Sequence, residues 1–148
     1  KAPLQDLIHE AHAAEGRAKH VYGRDALAVS VLKRSGEILH WGCKWESHAF
    51  EIYERLSGVK GDLSRFAYKL AGFLEPYGLA SDEEMDDAMR EVVSAETLHA
   101  LEQTEGAKDV LDKALLKDYL EEPGVKAHPK DYLGFFLCEA FIDRPRGE

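Results

Sequence analysis

The stretch ALAVSVLKRSGEILHWGCKW, residues 26–45, decides the fold, because two strand-like runs flank the turn residues 34–36. A three-residue loop with Gly36 in the left-handed conformation makes Lys33 face Glu37. This register predicts a hairpin with one coherent apolar face, on which Leu27, Val29 and Val31 lie opposite Cys43, Trp41 and Leu39. A two-residue turn would mix polar and apolar side chains on each face, so burial of one face selects the first register.

Periodicity of 3.6 residues predicts helices on both sides of the hairpin. The helix before it, over 3–22, is expected to turn its apolar stripe to the core: Leu4, Leu7, Ile8, Ala11, Ala14, Ala18, Val21 and Tyr22. Later helices are expected to begin at the caps Ser47, Asp62 and Ser81. Ser81 also opens a capping box with Glu84.

The C-terminal segment 130–142 fits a helix or a third strand. Its apolar residues partly alternate, which suits a strand, but Pro129 in a first turn followed by Asp131 favours a helix. The fold class predicted from the whole pattern is helix-rich α+β: five to six helices packed around one antiparallel β-hairpin, with strands near 26–33 and 37–45. At 148 residues the chain is expected to form a single globular domain, 1–148.

Composition and charge limit the classes of protein and partner. The chain is 45% hydrophobic and 32% charged, which is typical of a soluble globular domain. No apolar run reaches the roughly 18 residues that a membrane span needs. Residues 1–78 carry a net charge of +1 and residues 79–148 a net charge of −10. This balance disfavours nucleic acid, and two widely separated cysteines favour a reducing cytoplasm.

A metal site is one interpretation of the region around Cys43. His40, Cys43 and His48 supply ligands that zinc or iron accepts. Residues three apart on a strand point to opposite faces, so His40 and Cys43 meet only if the strand bends at Gly42. No second pair of ligands at metal-site spacing follows. A core cysteine and a half-buried histidine are therefore the favoured interpretation, and no cofactor is expected.

Catalytic motifs give little support to an enzyme. The chain has no G-x-S-x-G elbow and no glycine-rich phosphate loop. The order of helix, hairpin and helices resembles that of phage-type lysozymes in outline. That resemblance implies a pair of carboxylates, such as Glu10 or Glu15 with Glu37. No sequence motif accompanies it, and the net charge of −9 suits an anionic cell-wall substrate poorly.

The acidic run around residue 84 is the sharpest remaining feature. It concentrates carboxylates in a predicted first helical turn, where they complement the helix dipole. The crowding exceeds what a cap needs, because like charges at i and i+4 repel each other. An acidic docking surface is the functional interpretation, with Trp45 as an aromatic anchor. The candidate partner-binding residues are Asp82, Glu83, Glu84, Asp86, Asp87 and Trp45.

The function expected from these observations is non-enzymatic. We expect a small acidic cytoplasmic protein that binds a basic macromolecular partner, as an inhibitor, immunity-type protein, accessory subunit or adaptor. The alternative is an enzyme that binds a metal or a small ligand in the His40/Cys43 region. The partner, the ligand and the oligomeric state are not encoded in any recognisable motif.

Overall fold

The computed structural model describes residues 4–58, 63–79 and 83–143, and its only sheet within these residues is the predicted hairpin. Strand β1 spans Ala26–Leu32 and β2 spans Ile38–Lys44. The predicted register is confirmed: Leu27 pairs with Cys43, Val29 with Trp41 and Val31 with Leu39. Gly36 has a φ of 92° in the turn, and the Lys33 amide donates to the Glu37 carbonyl at 2.9 Å.

Seven α-helices surround the hairpin in the described residues, rather than the five or six expected. They are α1 Leu4–His20, α2 Ala49–Ser57, α3 Ser64–Leu74, α4 Asp87–Gln103, α5 Lys113–Leu120, α6 Pro123–Ala127 and α7 Lys130–Asp143, with 3₁₀ turns at Glu75–Tyr77 and Ala107–Asp109. Helix α5 begins after its cap Asp112, which accepts the Leu115 amide at 2.7 Å. Pro123 then starts the short α6.

The C-terminal segment forms the helix α7 and not a third strand, as Pro129 and Asp131 indicated. This helix lies at the centre of the core. Its Phe135 meets Trp41 of β2 edge to face, with 4.9 Å between the ring centroids. On its other side Phe136 packs against Phe66 of α3 at 5.3 Å. Among the described helices, none combines the length and apolar character that crossing a bilayer requires.

Gly134 brings the α7 backbone directly onto β2. A Cβ atom at this position would lie less than 3.0 Å from the carbonyl oxygen of His40, and it would also contact the Cβ of Trp41. Gly42 plays a comparable part on the opposite face, where a Cβ would overlap the Tyr22 ring. Helix α7 therefore lies against β2, while α1 and Tyr22 lie on the opposite face of the hairpin.

The prediction that α1 buries its apolar stripe is wrong. None of its residues is buried, and Leu4, Leu7 and Ile8 are 71%, 46% and 50% exposed. The hairpin face that α1 covers carries small and polar side chains, including Ser30 and His40, and so offers little apolar surface to the stripe. The helix is attached to this face mainly by hydrogen bonds.

The predicted start of α4 at Ser81 is also wrong. The helix begins at Asp87, and Asp86 is the cap, because its carboxylate accepts the Met89 amide at 2.8 Å. Residues 84–86 are extended rather than helical, with Met85 buried and its amide bonded to the Lys126 carbonyl. Burial of Met85 thus competes with helix formation. Asp62 and Ser81, the other predicted caps, lie outside the described residues.

The close approach at Gly134 predicts opposite outcomes for two helical Gly→Ala substitutions. Alanine favours a helix by about 0.5–1 kcal/mol over glycine, and Gly72 of α3 has open space around it, so Gly72→Ala should stabilise by that amount. Gly134→Ala should instead lower the free energy of unfolding by about 1–3 kcal/mol, because the new methyl group meets backbone. Urea unfolding of both variants measures this, and stabilisation by both would contradict the packing described.

Candidate functional site

An apolar cavity of about 280 Å³ opens between the hairpin, α2 and α7, and we call it the aromatic pocket. The inward face of the hairpin contributes one wall because strand alternation places its apolar residues together. The lining residues are Leu27, Val29, Trp41, Phe50, Tyr53, Phe135, Glu139 and Ile142. Glu139 is their single charged member, and it is buried.

Trp45 stands beside the aromatic pocket and is exposed to solvent over 59% of its surface. Its indole stacks on the Phe50 ring with 5.5 Å between centroids and 13° between planes. Tyr53, one turn further along α2, is also exposed. Large aromatic side chains grouped at the surface around an apolar pocket are typical of interaction sites.

The predicted acidic residues occupy the surface around the start of α4. Glu83, Glu84, Asp86 and Asp87 are all exposed, while Asp82 lies outside the described residues. Asp86 caps the helix and Asp87 forms an ion pair with Arg90, so both of these acids have local partners. These carboxylates therefore keep their negative charge at the surface. Two of them, Asp86 and Asp87, also stabilise the first turn of α4.

A second cavity, of about 550 Å³, lies under the turn between β2 and α2, and we call it the turn pocket. Its walls come from the turn itself, from Tyr22 and from residues 122–128. Cys43 and His48, two of the three predicted metal ligands, both line it.

Glu122 organises the polar side of the turn pocket. One of its oxygens accepts the Ser47 hydroxyl at 2.6 Å, and the other accepts the His48 backbone amide at 2.8 Å. The same oxygen accepts Nδ1–H of His48 at 2.8 Å. Ser47 in turn accepts the Ala49 amide at 3.1 Å, but the cap position of α2 is His48 and not the predicted Ser47.

Tyr22 and Asp131 form a second polar contact at this pocket. The Tyr22 hydroxyl donates to the Asp131 carboxylate at 2.6 Å, and the ring of His128 packs edge-on against Tyr22. Burial raises the pKa of Asp131, although the bond from Tyr22 opposes that shift. Burial and this bond also raise the pKa of Tyr22. The pair is a part-buried hydrogen bond that ties the chain after α1 to α7.

His40 lies on the other face of β2, away from Cys43. Its Nε2 is 2.9 Å from the Glu10 carboxylate, which also accepts the Ser30 hydroxyl at 2.8 Å. Burial alone would raise the pKa of Glu10, but these two hydrogen bonds and the charge of Arg17 hold it below its ordinary value. Glu10 thereby links α1 to both strands.

The structure thus separates His40 from the other two predicted ligands. Strand alternation is kept at Gly42, so His40 faces α1 while Cys43 is buried on the side of the turn pocket. In the part of the chain that the structure describes, no three His, Cys, Asp or Glu side chains are arranged to hold a metal ion. Of the carboxylates in the lysozyme-like pair, Glu10 is bonded to Ser30 and His40, and Glu37 is bonded to Lys33 at the hairpin loop.

Glu122, Tyr22 and Asp131 are site residues that sequence reasoning missed. Glu122 is 74 and 75 positions from the residues it bonds, and Asp131 is 109 positions from Tyr22. No local spacing signals contacts of this range. Comparison with protein-family models, with curated proteins and with solved structures finds no match to this chain.

Burial predicts how the two cysteines react. Burial raises the pKa values of Cys43 and Cys138 to about 12 from the ordinary 9.0. Both thiols should therefore resist an aromatic disulfide reagent at pH 8 in the folded protein and react at once in denaturant. Their contribution to stability should be complete below pH 9.0 and be lost as the pH rises to about 12, because the unfolded chain releases these protons first.

A stopped-flow measurement of thiol release, with and without urea, checks this. Rapid reaction of Cys43 in the native protein would show that the turn pocket exposes the sulfur.

Proposed function

We propose that this chain is a non-enzymatic interaction protein that docks a basic amphipathic segment of another macromolecule on the aromatic pocket. The observation that carries the proposal is the solvent-exposed Trp45, stacked on Phe50 at the edge of an apolar cavity. Tryptophan and tyrosine dominate the energetics of protein interfaces, because they bury large area at little cost in side-chain entropy.

The size of the aromatic pocket favours a side chain over a metabolite. Pockets for small molecules enclose about 300–1,000 Å³, and this cavity of about 280 Å³ lies just below that range. Its lining is apolar apart from Glu139, so a large aliphatic or aromatic side chain fits it best. Trp45 and Tyr53 would then cover the flanks of the inserted segment.

Charge selects a basic partner. Residues 45–57, which carry the exposed aromatics, hold three carboxylates and one arginine. The wider chain has a net charge of −9, and its acidic surface at Glu83, Glu84, Asp86 and Asp87 adds attraction at longer range. Such a field speeds the approach of a cationic partner and repels nucleic acid. Two free, buried cysteines favour a reducing cytoplasm as its location.

A pair of synthetic helical peptides tests this function. One peptide carries Leu on one face and Lys on the other, and its control carries Glu in place of Lys. We expect only the Lys peptide to bind, with an affinity that falls steeply as salt is raised. Trp45→Ala should weaken binding about tenfold or more, as truncation of an aromatic hot-spot residue does. Calorimetry measures each affinity.

Tyr68→Ala is the matched control, because Tyr68 is an exposed aromatic on α3 that does not line the aromatic pocket. Equal affinities for the two peptides, or equal losses in Trp45→Ala and Tyr68→Ala, would contradict the proposal.

A second candidate function is the binding of a small organic ligand in the turn pocket. Its volume of about 550 Å³ falls inside the range of small-molecule sites, and Glu122 orients the His48 ring at its wall. His48→Ala separates the two functions, because it changes the turn pocket and leaves the aromatic pocket intact. If the Lys peptide docks at the aromatic pocket, it should bind His48→Ala with the same affinity as the unmodified chain.

A further inference from the structure

Trp45 presents one open aromatic face to solvent. Its other face is covered by the Phe50 ring, which lies nearly parallel to it, with 5.5 Å between the centroids. The residue as a whole is nonetheless 59% exposed. The outer face of the indole is therefore flat, open and backed by a second ring. Such a face suits a planar group that can stack on it, whereas a branched aliphatic side chain gains most from an enclosing pocket.

The chain holds this face in position before any partner arrives. The Trp45 amide donates to the Asp25 carbonyl at 3.2 Å, which extends the pairing of β1 with β2 by one residue pair. The parallel ring of Phe50 on α2 restricts rotation of the indole. An anchor fixed in this way loses little side-chain freedom when it binds, so more of its contact energy appears as affinity.

Negative charge dominates the exposed surface of α2. Glu54 lies one helical turn beyond Phe50 and is exposed, and no described residue forms an ion pair with it. The one arginine of this helix, Arg55, is already paired with Glu51 at 2.7 Å and with Asp112 at 2.8 Å. The surface beside the stacked rings therefore attracts a cation.

Lys44 precedes Trp45 in the chain, but its charge is directed elsewhere. Successive side chains of a strand point to opposite faces, so Lys44 points to the face of the hairpin opposite to Trp45. Its Nζ donates there to the carbonyl oxygens of Gly23 and Arg24 at 3.1 and 2.9 Å. This ammonium group therefore does not occupy the open face of the indole.

A guanidinium group suits this surface better than an ammonium group does. Arginine ends in a planar, weakly hydrated cation that stacks on aromatic rings, and tryptophan gives the strongest cation–π attraction. Lysine ends in a compact ammonium that is strongly hydrated. A guanidinium over Trp45 extends the stack that Phe50 begins, and its N–H groups at the rim remain able to donate to a carboxylate.

We propose that Trp45 selects arginine in the partner, because a guanidinium group of the docked segment stacks on the open face of its indole. This inference rests on the function proposed above and adds the kind of basic residue that the site prefers. An apolar side chain in the aromatic pocket supplies affinity, and the stack on Trp45 determines which cation lies beside it.

Two helical peptides that differ only in their cations test the selection. One is the Lys peptide described above, and in the other every Lys is replaced by Arg. We expect the Arg peptide to bind the unmodified chain about two- to fivefold more tightly, which is the size of one exposed cation–π contact. Calorimetry at one fixed ionic strength measures both affinities.

Trp45→Leu separates the aromatic face from apolar bulk, because it keeps an apolar side chain and removes the ring. This variant should bind the two peptides with equal affinity. Tyr68→Leu is the matched control, since Tyr68 is exposed on α3 and does not line the aromatic pocket, and it should keep the full preference. Unchanged circular dichroism checks that both variants fold.

Nuclear magnetic resonance of the bound Arg peptide supplies a readout that needs no variant. The δ protons of one arginine should shift upfield in the complex with the unmodified chain, because a stacked guanidinium places them over an aromatic ring.

The possible failures are distinguishable. Equal affinity of the two peptides for the unmodified chain would overturn the selection of arginine and leave the docking function standing, and so would the absence of an upfield shift. An Arg preference that persists in Trp45→Leu would also overturn it, because another part of the site would then select the cation. Binding of neither peptide would contradict the docking function and this inference together.

Discussion

The contact between α7 and β2 is the constraint on which the rest of the structure depends. A two-stranded hairpin is marginal in water, and it persists here because α7 packs against β2 and places Phe135 on Trp41. Gly134 permits that contact, since the helix backbone lies against the His40 carbonyl with no room for a Cβ. The same helix meets α3 through Phe136, so a single element joins the hairpin to the helical core.

The aromatic pocket and the turn pocket both follow from this arrangement. Phe135 and Ile142 of α7 close one side of the aromatic pocket, while the hairpin and α2 close the others. The turn pocket forms because Glu122 holds the start of α2 and Asp131 holds Tyr22. Trp45 lies where the hairpin ends, outside the apolar face that α7 covers, which is why so large a side chain remains exposed.

Local patterns predicted much of this fold. The hairpin register followed from Gly36 and from the requirement that one face be buried, and the helical form of α7 followed from Pro129 and Asp131. The orientation of α1 did not follow, because periodicity identifies an apolar stripe but not the surface that covers it. The start of α4 was missed for a related reason: Met85 is buried by contacts that residues 81–84 do not encode.

The candidate site was less predictable than the fold. Trp45 and the acids at 82–87 were proposed as partner-binding residues from local composition, and that prediction stays untested. The partners of the turn pocket, Glu122 and Asp131, are brought in by α5, α6 and α7 from more than 70 positions away. Strand alternation correctly indicated that His40 and Cys43 lie on opposite faces, which left His48 with Cys43 at the turn pocket.

Native-state hydrogen exchange tests the central claim most directly. If the hairpin depends on α7, its cross-strand amides should exchange only through global unfolding, with the same denaturant dependence as the α7 amides. The amides of α1, which buries no residue, should exchange through a smaller opening of lower free energy. Hairpin amides that exchange by a local opening while α7 stays protected would contradict the account.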